Sequence, residues 1–380
     1  MIIGAAIEGL SDVNQKGSLA RGDFPAFYAA AKIVSLGQID RLYDFNLQQE
    51  IQAEIWPSLS DSFLSFAYPP YFAILLSPLA EFSPATAKVV YCAVLFLALL
   101  VSVKIAAELF PIVKANFFVS FVAVLSFAPI LGGLLAGQNS SLSLLLYLIA
   151  IWGTKRGDRV GETSAGIALG FWLFKPHFAL LALIPFIWAR RYRVLLGACL
   201  PAIGFYLISA WNAGLSWPLW WLGTASEFSS LDNDANAHQM LSLSAVLPLL
   251  ASKFFYFDDV QAIATTAAYL FSLGLVLYFS LSFAKLRDFQ AERYRLLLLL
   301  GSLIVLCSPH TMYYDLGLCL PALFLFFDPS KAKQISYFVI IWLLVFLFSM
   351  FKGDFLFSPL VFLPISVLAF SLKAIQSSFK

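Results

Sequence analysis

The chain has 380 residues, of which 61% are hydrophobic and 12% charged, and its mean hydropathy is +0.84. This excludes a soluble domain of comparable size, in which usually about 25% of residues are charged. The formal net charge of +2 gives no support for a nucleic-acid partner. The composition indicates an all-α polytopic membrane protein, because the apolar runs lack the period-two alternation of a transmembrane barrel.

Residues 1–83 are predicted to form an outer segment ahead of the first long apolar run. Acidic residues outnumber basic ones up to residue 65, which favours the non-cytoplasmic side. Stretches 25–36 and 42–56 have apolar residues at i, i+3 and i+4, so we expect amphipathic juxtamembrane helices lying along the membrane surface. The short apolar run 72–82, which lies between prolines, is predicted to be a third interfacial helix or a re-entrant helix.

Residues 84–380 are predicted to form a transmembrane helical domain with about eleven crossings. We place these crossings at about 84–104, 115–135, 139–153, 164–174, 177–189, 193–211, 259–284, 294–307, 313–327, 335–350 and 355–372. A long outer loop is expected at about 212–258.

The basic loops define the cytoplasmic face. Most of the 24 Lys and Arg residues fall on one side of the predicted topology, as the positive-inside rule requires. The acidic segment, the loop 212–258 and the polar helix breaks then face outward. Because nothing in the chain would carry an outward-facing residue 1 across the membrane, we expect a further apolar helix upstream of Met1, which makes about twelve crossings.

Asp23 is the candidate catalytic base. It stands in the motif Gly22-Asp23-Phe24-Pro25-Ala26-Phe27-Tyr28, where the polar segment meets the membrane. On a helix, Phe24, Phe27 and Tyr28 are expected to face the membrane and hold the carboxylate at its boundary. A base must reach the hydroxyl that it activates, and this height suits a lipid-linked substrate. The alternative is a plain helix N-cap.

Lys175 and His177 interrupt the apolar stretch 163–189. Charged groups inside a span are costly and usually face a polar cavity, so an anionic group such as a lipid phosphate is their expected partner. The alternative is a snorkelling lysine beside a histidine with internal partners.

Three further polar clusters lie on the predicted outer face. His310 stands in Ser308-Pro309-His310-Thr311, with Tyr313, Tyr314 and Asp315 close behind. It is a candidate for binding phosphate or a sugar hydroxyl or for proton transfer, or else an incidental residue of a helix junction. Gln138 and Asn139 are candidate sugar or headgroup contacts, or an ordinary turn. Trp217, Trp220 and Trp221 read as interfacial anchors or a sugar-stacking surface. With no HExxH or Cys–His pattern, we expect no metal and no cofactor.

The motifs follow one another in a recognisable order. They are Gly22-Asp23-Phe24-x-x-Phe27-Tyr28-x-Ala30-Ala31, Leu42-Tyr43-Asp44, Phe66-x-Tyr68-Pro69-Pro70, Gly137-Gln138-Asn139-Ser140, Lys175-Pro176-His177 and Ser308-Pro309-His310. This set, spanning about residues 20–330, resembles glycosyltransferase family 87, whose members are GT-C-fold membrane enzymes that include bacterial mannosyltransferases using polyprenyl-phosphate mannose.

The resemblance implies a metal-independent hexosyltransferase of the bacterial inner membrane and cell envelope, with its active site facing the periplasm. Asp23 is expected to be the base that activates a hydroxyl of a lipid or glycan acceptor, and His310 to assist. Lys175 and His177 are expected to hold the phosphate of a polyprenyl-phosphate mannose donor. Further substrate contacts are expected from Tyr28, Asp44, Tyr68, Gln138 and Asn139.

Two other classes fit part of this pattern. A transporter or flippase of lipid-linked sugars would also need intramembrane charge and broken helices, but it predicts an internal repeat that the sequence does not show. A structural membrane subunit that recruits partners through the acidic segment leaves Lys175 unexplained.

Overall fold

The computed structural model of the protein describes residues 22–57, 64–256, 259–286, 293–326, 332–350 and 356–369. These ranges contain helices and connecting turns and no strand, which confirms the all-α architecture. Several charged residues used to predict the orientation lie outside the described residues, among them Glu8, Asp12, Asp61, Arg287, Lys331, Lys373 and Lys380.

The N-terminal part contains three short helices close to the predicted positions. They are α1 (Phe24–Ser35), α2 (Phe45–Ile55) and α3 (Pro70–Leu76). Proline in the first turn starts both α1 and α3, because its fixed φ suits that position and its missing N–H has no helical partner there. After α3 the chain tightens into a 3-10 turn at Ser77–Glu81, so the predicted 72–82 helix is divided in two.

The remaining helices follow in chain order. They are α4 (Pro84–Leu109), α5 (Pro111–Ala115), α6 (Phe117–Ser126), α7 (Ala128–Ala136), α8 (Ser140–Arg156), α9 (Arg159–Phe171), α10 (Pro176–Trp188), α11 (Tyr192–Ala213), α12 (Trp217–Asn236), α13 (Leu243–Phe254), α14 (Val260–Lys285), α15 (Arg293–Cys307), α16 (Leu320–Phe326), α17 (Ala332–Met350) and α18 (Pro359–Ala369). The stretch predicted as an outer loop at 212–258 thus contains α12 and α13.

Three of the described helices, α4, α11 and α14, are long and apolar enough to cross a membrane, and a fourth span exists if α6 and α7, which meet at a 68° bend, are counted together. Shorter apolar helices include α10, α13 and α18. The protein is therefore a polytopic membrane protein.

Helix α14 shows how a span presents two apolar faces. Ala268, Ser272 and Val276 form a buried stripe at intervals of four residues, whereas Ile263 and Leu270 are 57% and 65% exposed. Side chains four apart share a helix face, so one face of α14 packs on protein and the other presents large apolar groups. Such an exposed apolar face is expected where the helix meets lipid.

The chain forms two compact units. The first contains the described residues up to Leu97 together with Gly133–Asn139 and Ile203–Ser230. The second contains Ala98–Gly132, Ser140–Ala202 and the described residues from Leu231 onward.

Candidate active site

Asp23 stands immediately before α1. Its backbone carbonyl accepts a 3.2 Å hydrogen bond from Phe27 N, which closes the first helical turn. Within the described part of the chain, the Asp23 carboxylate accepts no capping hydrogen bond from α1. Asp44, by contrast, caps α2, because its Oδ1 accepts a 3.1 Å hydrogen bond from Leu47 N. The alternative that Asp23 is a plain helix N-cap therefore does not explain why a carboxylate stands at this position.

The aromatic side chains that follow Asp23 lie inside the protein. Phe24, Phe27 and Tyr28 are 0%, 1% and 4% exposed. The Phe27 ring makes edge contacts with those of Phe66, Tyr68, Phe72 and Tyr91. The expectation that these rings face the membrane is therefore wrong. Apolar rings pack equally well against lipid or other rings, so the sequence pattern alone does not separate the two environments.

Tyr28 and Tyr68, both predicted substrate contacts, belong to this aromatic core. The Tyr28 hydroxyl donates a 2.8 Å hydrogen bond to the Phe82 carbonyl, and burial raises the Tyr28 pKa. The Tyr68 ring centre lies 5.3 Å from that of Phe27, and the Tyr68 carbonyl accepts a 2.9 Å hydrogen bond from the Tyr43 hydroxyl. These contacts position both side chains, and the predicted substrate contacts stay predictions.

The turn that ends α7 packs directly against the residues around Asp23. Gly22 has a φ of +84°, and a Cβ at this position would overlap Ala136. Gly137 has a φ of +70°, and a Cβ there would lie 2.9 Å from the Cβ of Phe24. Both positions require glycine, because the backbone φ is positive and because there is no room for a Cβ atom. The close approach brings the end of α7 against the backbone that carries Asp23.

Gln138 and Asn139 follow this turn and are 1% and 0% exposed. Gln138 Oε1 and both side-chain polar atoms of Asn139 have no hydrogen-bond partner among the described residues. Most buried polar atoms in folded proteins have partners, so such a group needs an explanation. A bound polar molecule such as a sugar would supply the missing hydrogen bonds.

Tyr91, on α4, is a candidate site residue that the sequence analysis missed. Its ring centre lies 6.1 Å from that of Phe24, and the side chain is 4% exposed. The hydroxyl finds no partner in the described ranges, and it lies within the range over which the charge of Asp23 acts. The sequence signal that could have identified Tyr91 is a tyrosine within an apolar span, since a polar group there usually faces the protein interior.

Both carboxylate oxygens of Asp44 are engaged. Oδ1 caps α2, and Oδ2 accepts a 2.7 Å hydrogen bond from Arg41 Nη2. The Arg41 hydrogen bond and the capping bond hold the pKa of the Asp44 carboxyl below its usual range. The geometry assigns Asp44 to the start of α2, and its predicted substrate contact stays a prediction.

In the second unit, Lys175 lies where a 3-10 turn at Trp172–Phe174 meets α10. Lys175 is 5% exposed, and its Nζ donates a 2.8 Å hydrogen bond to Oδ1 of Asp315, which is 2% exposed. The ammonium also lies 4.9 Å and 5.5 Å from the ring centres of Phe178 and Tyr314. Lys175 is therefore a buried cation with an anionic partner, and the snorkelling alternative is wrong.

His177 and His310 lie near this pair. His177 lies within electrostatic range of both His310 and Lys175, and the Phe178 ring contacts both His177 and the Lys175 ammonium, so the structure brings these three predicted residues together. The His177 ring packs edge-on against Phe178, with ring centres 4.7 Å apart, and His177 Nε2 is a buried atom without a partner among the described residues. The cluster offers hydrogen-bond donors of the kind that bind a phosphate.

The turn that carries His310 is held by residues at the start of α13. The Ser242 and Ser244 hydroxyls each donate a 3.4 Å hydrogen bond to the carbonyl of Pro309. Ser308 is fully buried, and its hydroxyl has no partner in the described part of the protein. The stretch 212–258 thus helps to place His310, a role that its sequence did not indicate.

The predicted site residues fall into both compact units. Asp23, Tyr28, Asp44, Tyr68, Gln138 and Asn139 belong to the first, and Lys175, His177 and His310 belong to the second. Among the described residues, no three His, Cys, Asp or Glu side chains are grouped as a metal site would require.

These features define a polytopic membrane protein that holds charged and polar groups at breaks in apolar helices. The family model of glycosyltransferase family 87 matches residues 66–309. The chain belongs to glycosyltransferase family 87, which confirms the resemblance. Gln138 and Lys175 lie within the matched range, whereas Asp23 precedes it and His310 follows it. No curated protein and no solved structure gives a significant match.

Proposed function

We propose that this membrane glycosyltransferase moves a hexose, with mannose as the expected sugar, from a polyprenyl-phosphate carrier to a hydroxyl of a lipid or glycan acceptor. Membership of family 87 supports sugar transfer. The group of buried Lys175 with the half-buried His177 and His310 supports a phosphate-bearing donor, because these side chains offer hydrogen-bond donors and positive charge.

We place the enzyme in the bacterial inner membrane, with a GT-C-like fold of about eleven crossings and the site on the periplasmic side. A helix or 3-10 turn lies in each of the predicted crossing stretches. The basic loops on the opposite side support this orientation.

The reaction that we propose is a displacement at the anomeric carbon. Asp23 accepts the proton of the acceptor hydroxyl as its oxygen bonds to that carbon. The bond between the anomeric carbon and the phosphate oxygen breaks, and its electron pair leaves with the polyprenyl phosphate. Lys175 and His177 stabilise the charge that develops on this phosphate, and His310 assists. No step requires a metal ion.

One observation carries the proposal: Gly22 approaches Ala136 and Gly137 approaches Phe24, so the turn before Gln138 and Asn139 packs on both neighbours of Asp23. The buried polar atoms of Gln138 and Asn139 lack described partners. A sugar hydroxyl would satisfy those amides while the carboxylate reaches the acceptor. Tyr91 completes the group, because its ring contacts those of Phe24 and Phe27 just after Asp23 and its hydroxyl has no described partner.

The test compares donor classes with the purified protein in nanodiscs, a membrane lipid extract as acceptor, and excess EDTA. We expect transfer of radiolabelled mannose from polyprenyl-phosphate mannose and none from a soluble nucleotide sugar. Transfer from the nucleotide sugar alone, or complete loss of transfer with EDTA, would contradict the proposal. Binding of the lipid donor without transfer to any component of the extract would favour the alternative of a carrier for lipid-linked sugars.

A further inference from the structure

The Asp315 carboxylate is fixed by a hydrogen bond within its own turn, independently of its contact with Lys175. Its Oδ2 accepts a 3.1 Å hydrogen bond from Met312 N at the start of the 3-10 turn Tyr313–Cys319, which leaves Oδ1 directed at the lysine. Lys175, in contrast, arrives on a flexible four-carbon stem. Of the two groups, the carboxylate is the fixed one and the ammonium is the one that it positions.

We propose that Asp315 is a positioning residue that holds the Lys175 ammonium at the break before α10, ready to bind the phosphate of a prenyl phosphate ester. This inference rests on the proposed function, because it assigns the phosphate to Lys175. It extends that function to a residue for which the sequence patterns gave no role.

The hydrogen bonds of the ammonium leave room for such a ligand. An ammonium has three N–H donors, and Asp315 Oδ1 accepts one of them. The ammonium also lies over the rings of Phe178 and Tyr314, which attract a cation but do not replace an oxygen acceptor. His177 Nε2 is a second buried group nearby without a described partner.

The charges also fit a phosphate ester. Lys175 and Asp315 together are neutral, so the pair is tolerated inside the protein without a ligand, whereas an isolated buried ammonium would be strongly unfavourable. A donor phosphodiester carries one negative charge, and the prenyl phosphate that leaves gains a second. The pre-placed ammonium meets this growing charge without moving, as electrostatic stabilisation of a transition state requires.

The test measures binding of farnesyl phosphate and of farnesol to the full chain in nanodiscs, so that the phosphate contribution is separated from that of the prenyl chain. The principal variant is Asp315→Asn. Asp158→Asn is the matched control, because Asp158 forms a 2.8 Å ion pair with Arg156 at an exposed turn. Donor KM and kcat are measured beside binding, together with the melting temperature.

We expect the wild type to bind farnesyl phosphate more tightly than farnesol. In Asp315→Asn the affinity for farnesyl phosphate should fall about tenfold, as for the loss of one well-placed charged hydrogen bond, while farnesol binding stays unchanged. The donor KM should rise more than kcat falls. Asp315→Glu, which keeps the charge, should restore most of the phosphate preference, and Asp158→Asn should retain all of it.

A lower melting temperature in Asp315→Asn with an intact phosphate preference would overturn the proposal and leave Asp315 a structural residue. If Asp315→Asn does not fold, the double variant Lys175→Met with Asp315→Leu replaces the pair by apolar side chains, which buried ion pairs often tolerate. That variant should fold and lose the phosphate preference, and a retained preference would equally overturn the proposal.

The binding and transfer measurements separate this inference from the proposed function. A phosphate preference that depends on Asp315, without any sugar transfer, would support the inference and contradict the proposed reaction. Sugar transfer by a wild type that binds farnesol and farnesyl phosphate equally would contradict the inference and leave the reaction standing.

Discussion

Gly22 and Ala136 approach so closely that no side chain fits at position 22, where a Cβ would overlap both the Cβ and the carbonyl oxygen of Ala136. This contact ties the residue before Asp23 to the helix end before Gln138. The geometry of the candidate site in the first unit therefore depends on a glycine that carries no chemistry itself.

Gly22→Ala tests this dependence. The left-handed φ of +84° costs alanine about 1–2 kcal/mol, and the overlap with Ala136 adds about 1–3 kcal/mol. We expect a clearly lower melting temperature in detergent and a loss of sugar transfer. Gly37→Ala is the matched control, because Gly37 has a similar φ of +72° but nothing within 4 Å of the added carbon. Equal effects of the two substitutions would show that space at Gly22 does not matter.

Tyr91→Phe removes the buried hydroxyl near Asp23 and keeps the ring contacts with Phe24 and Phe27. We expect kcat to fall about tenfold, as for one lost hydrogen bond to a reacting group, with little change in melting temperature. Tyr43→Phe is the control, since it removes a hydroxyl that bonds only the Tyr68 carbonyl among the described residues. A normal kcat in Tyr91→Phe would exclude a role for this hydroxyl.

Asp44→Asn tests whether Asp44 contacts substrate or only shapes the start of α2. The folded-state pKa of Asp44 is lowered, so the carboxylate stabilises the fold above its unfolded pKa of about 4 and this contribution disappears as pH falls through the folded value. Asparagine also caps helices, so we expect near-normal transfer at neutral pH. On acidification, the melting temperature of Asp44→Asn should fall less than that of the wild type. A large rise in KM would instead support the predicted substrate contact.

Ser242→Ala combined with Ser244→Ala removes both hydroxyls that bond the Pro309 carbonyl beside His310. We expect transfer to fall several-fold because the turn loses two weak hydrogen bonds, of about 0.5–1.5 kcal/mol each at most. Ser252→Ala, on the same helix, removes a local hydrogen bond to the Leu249 carbonyl and serves as the control. Unchanged transfer in the double variant would show that His310 is placed by other contacts or is not required.

The helices could be predicted from the sequence because their apolar runs are long and are broken by proline or charge. Phe24, Phe27 and Tyr28 show where this reasoning stops: their pattern indicates an apolar surface, but a ring is equally suited to lipid and to protein. No local sequence pattern identifies the partner of Lys175 either, because Asp315 lies 140 positions away along the chain.

The candidate site in the first unit shows the same limit of sequence-based prediction. The polar types at Asp23, Gln138 and Asn139 marked them as candidates, whereas their proximity depends on positive φ at Gly22 and Gly137 and on the absence of a Cβ at both. A glycine in the sequence does not reveal which residue will occupy the space that it leaves.

The most direct measurement is sugar transfer by Asp23→Asn, which keeps the size of the side chain and removes the base. Purified protein in nanodiscs receives radiolabelled polyprenyl-phosphate mannose, membrane lipid extract and EDTA, with Asp40→Asn as a control at an exposed aspartate of the same unit. We predict a 10²–10⁴-fold loss of kcat in Asp23→Asn, about the usual contribution of a general base, with unchanged melting temperature and normal transfer by Asp40→Asn. Transfer by Asp23→Asn at the parent rate would contradict the role of Asp23 as the base.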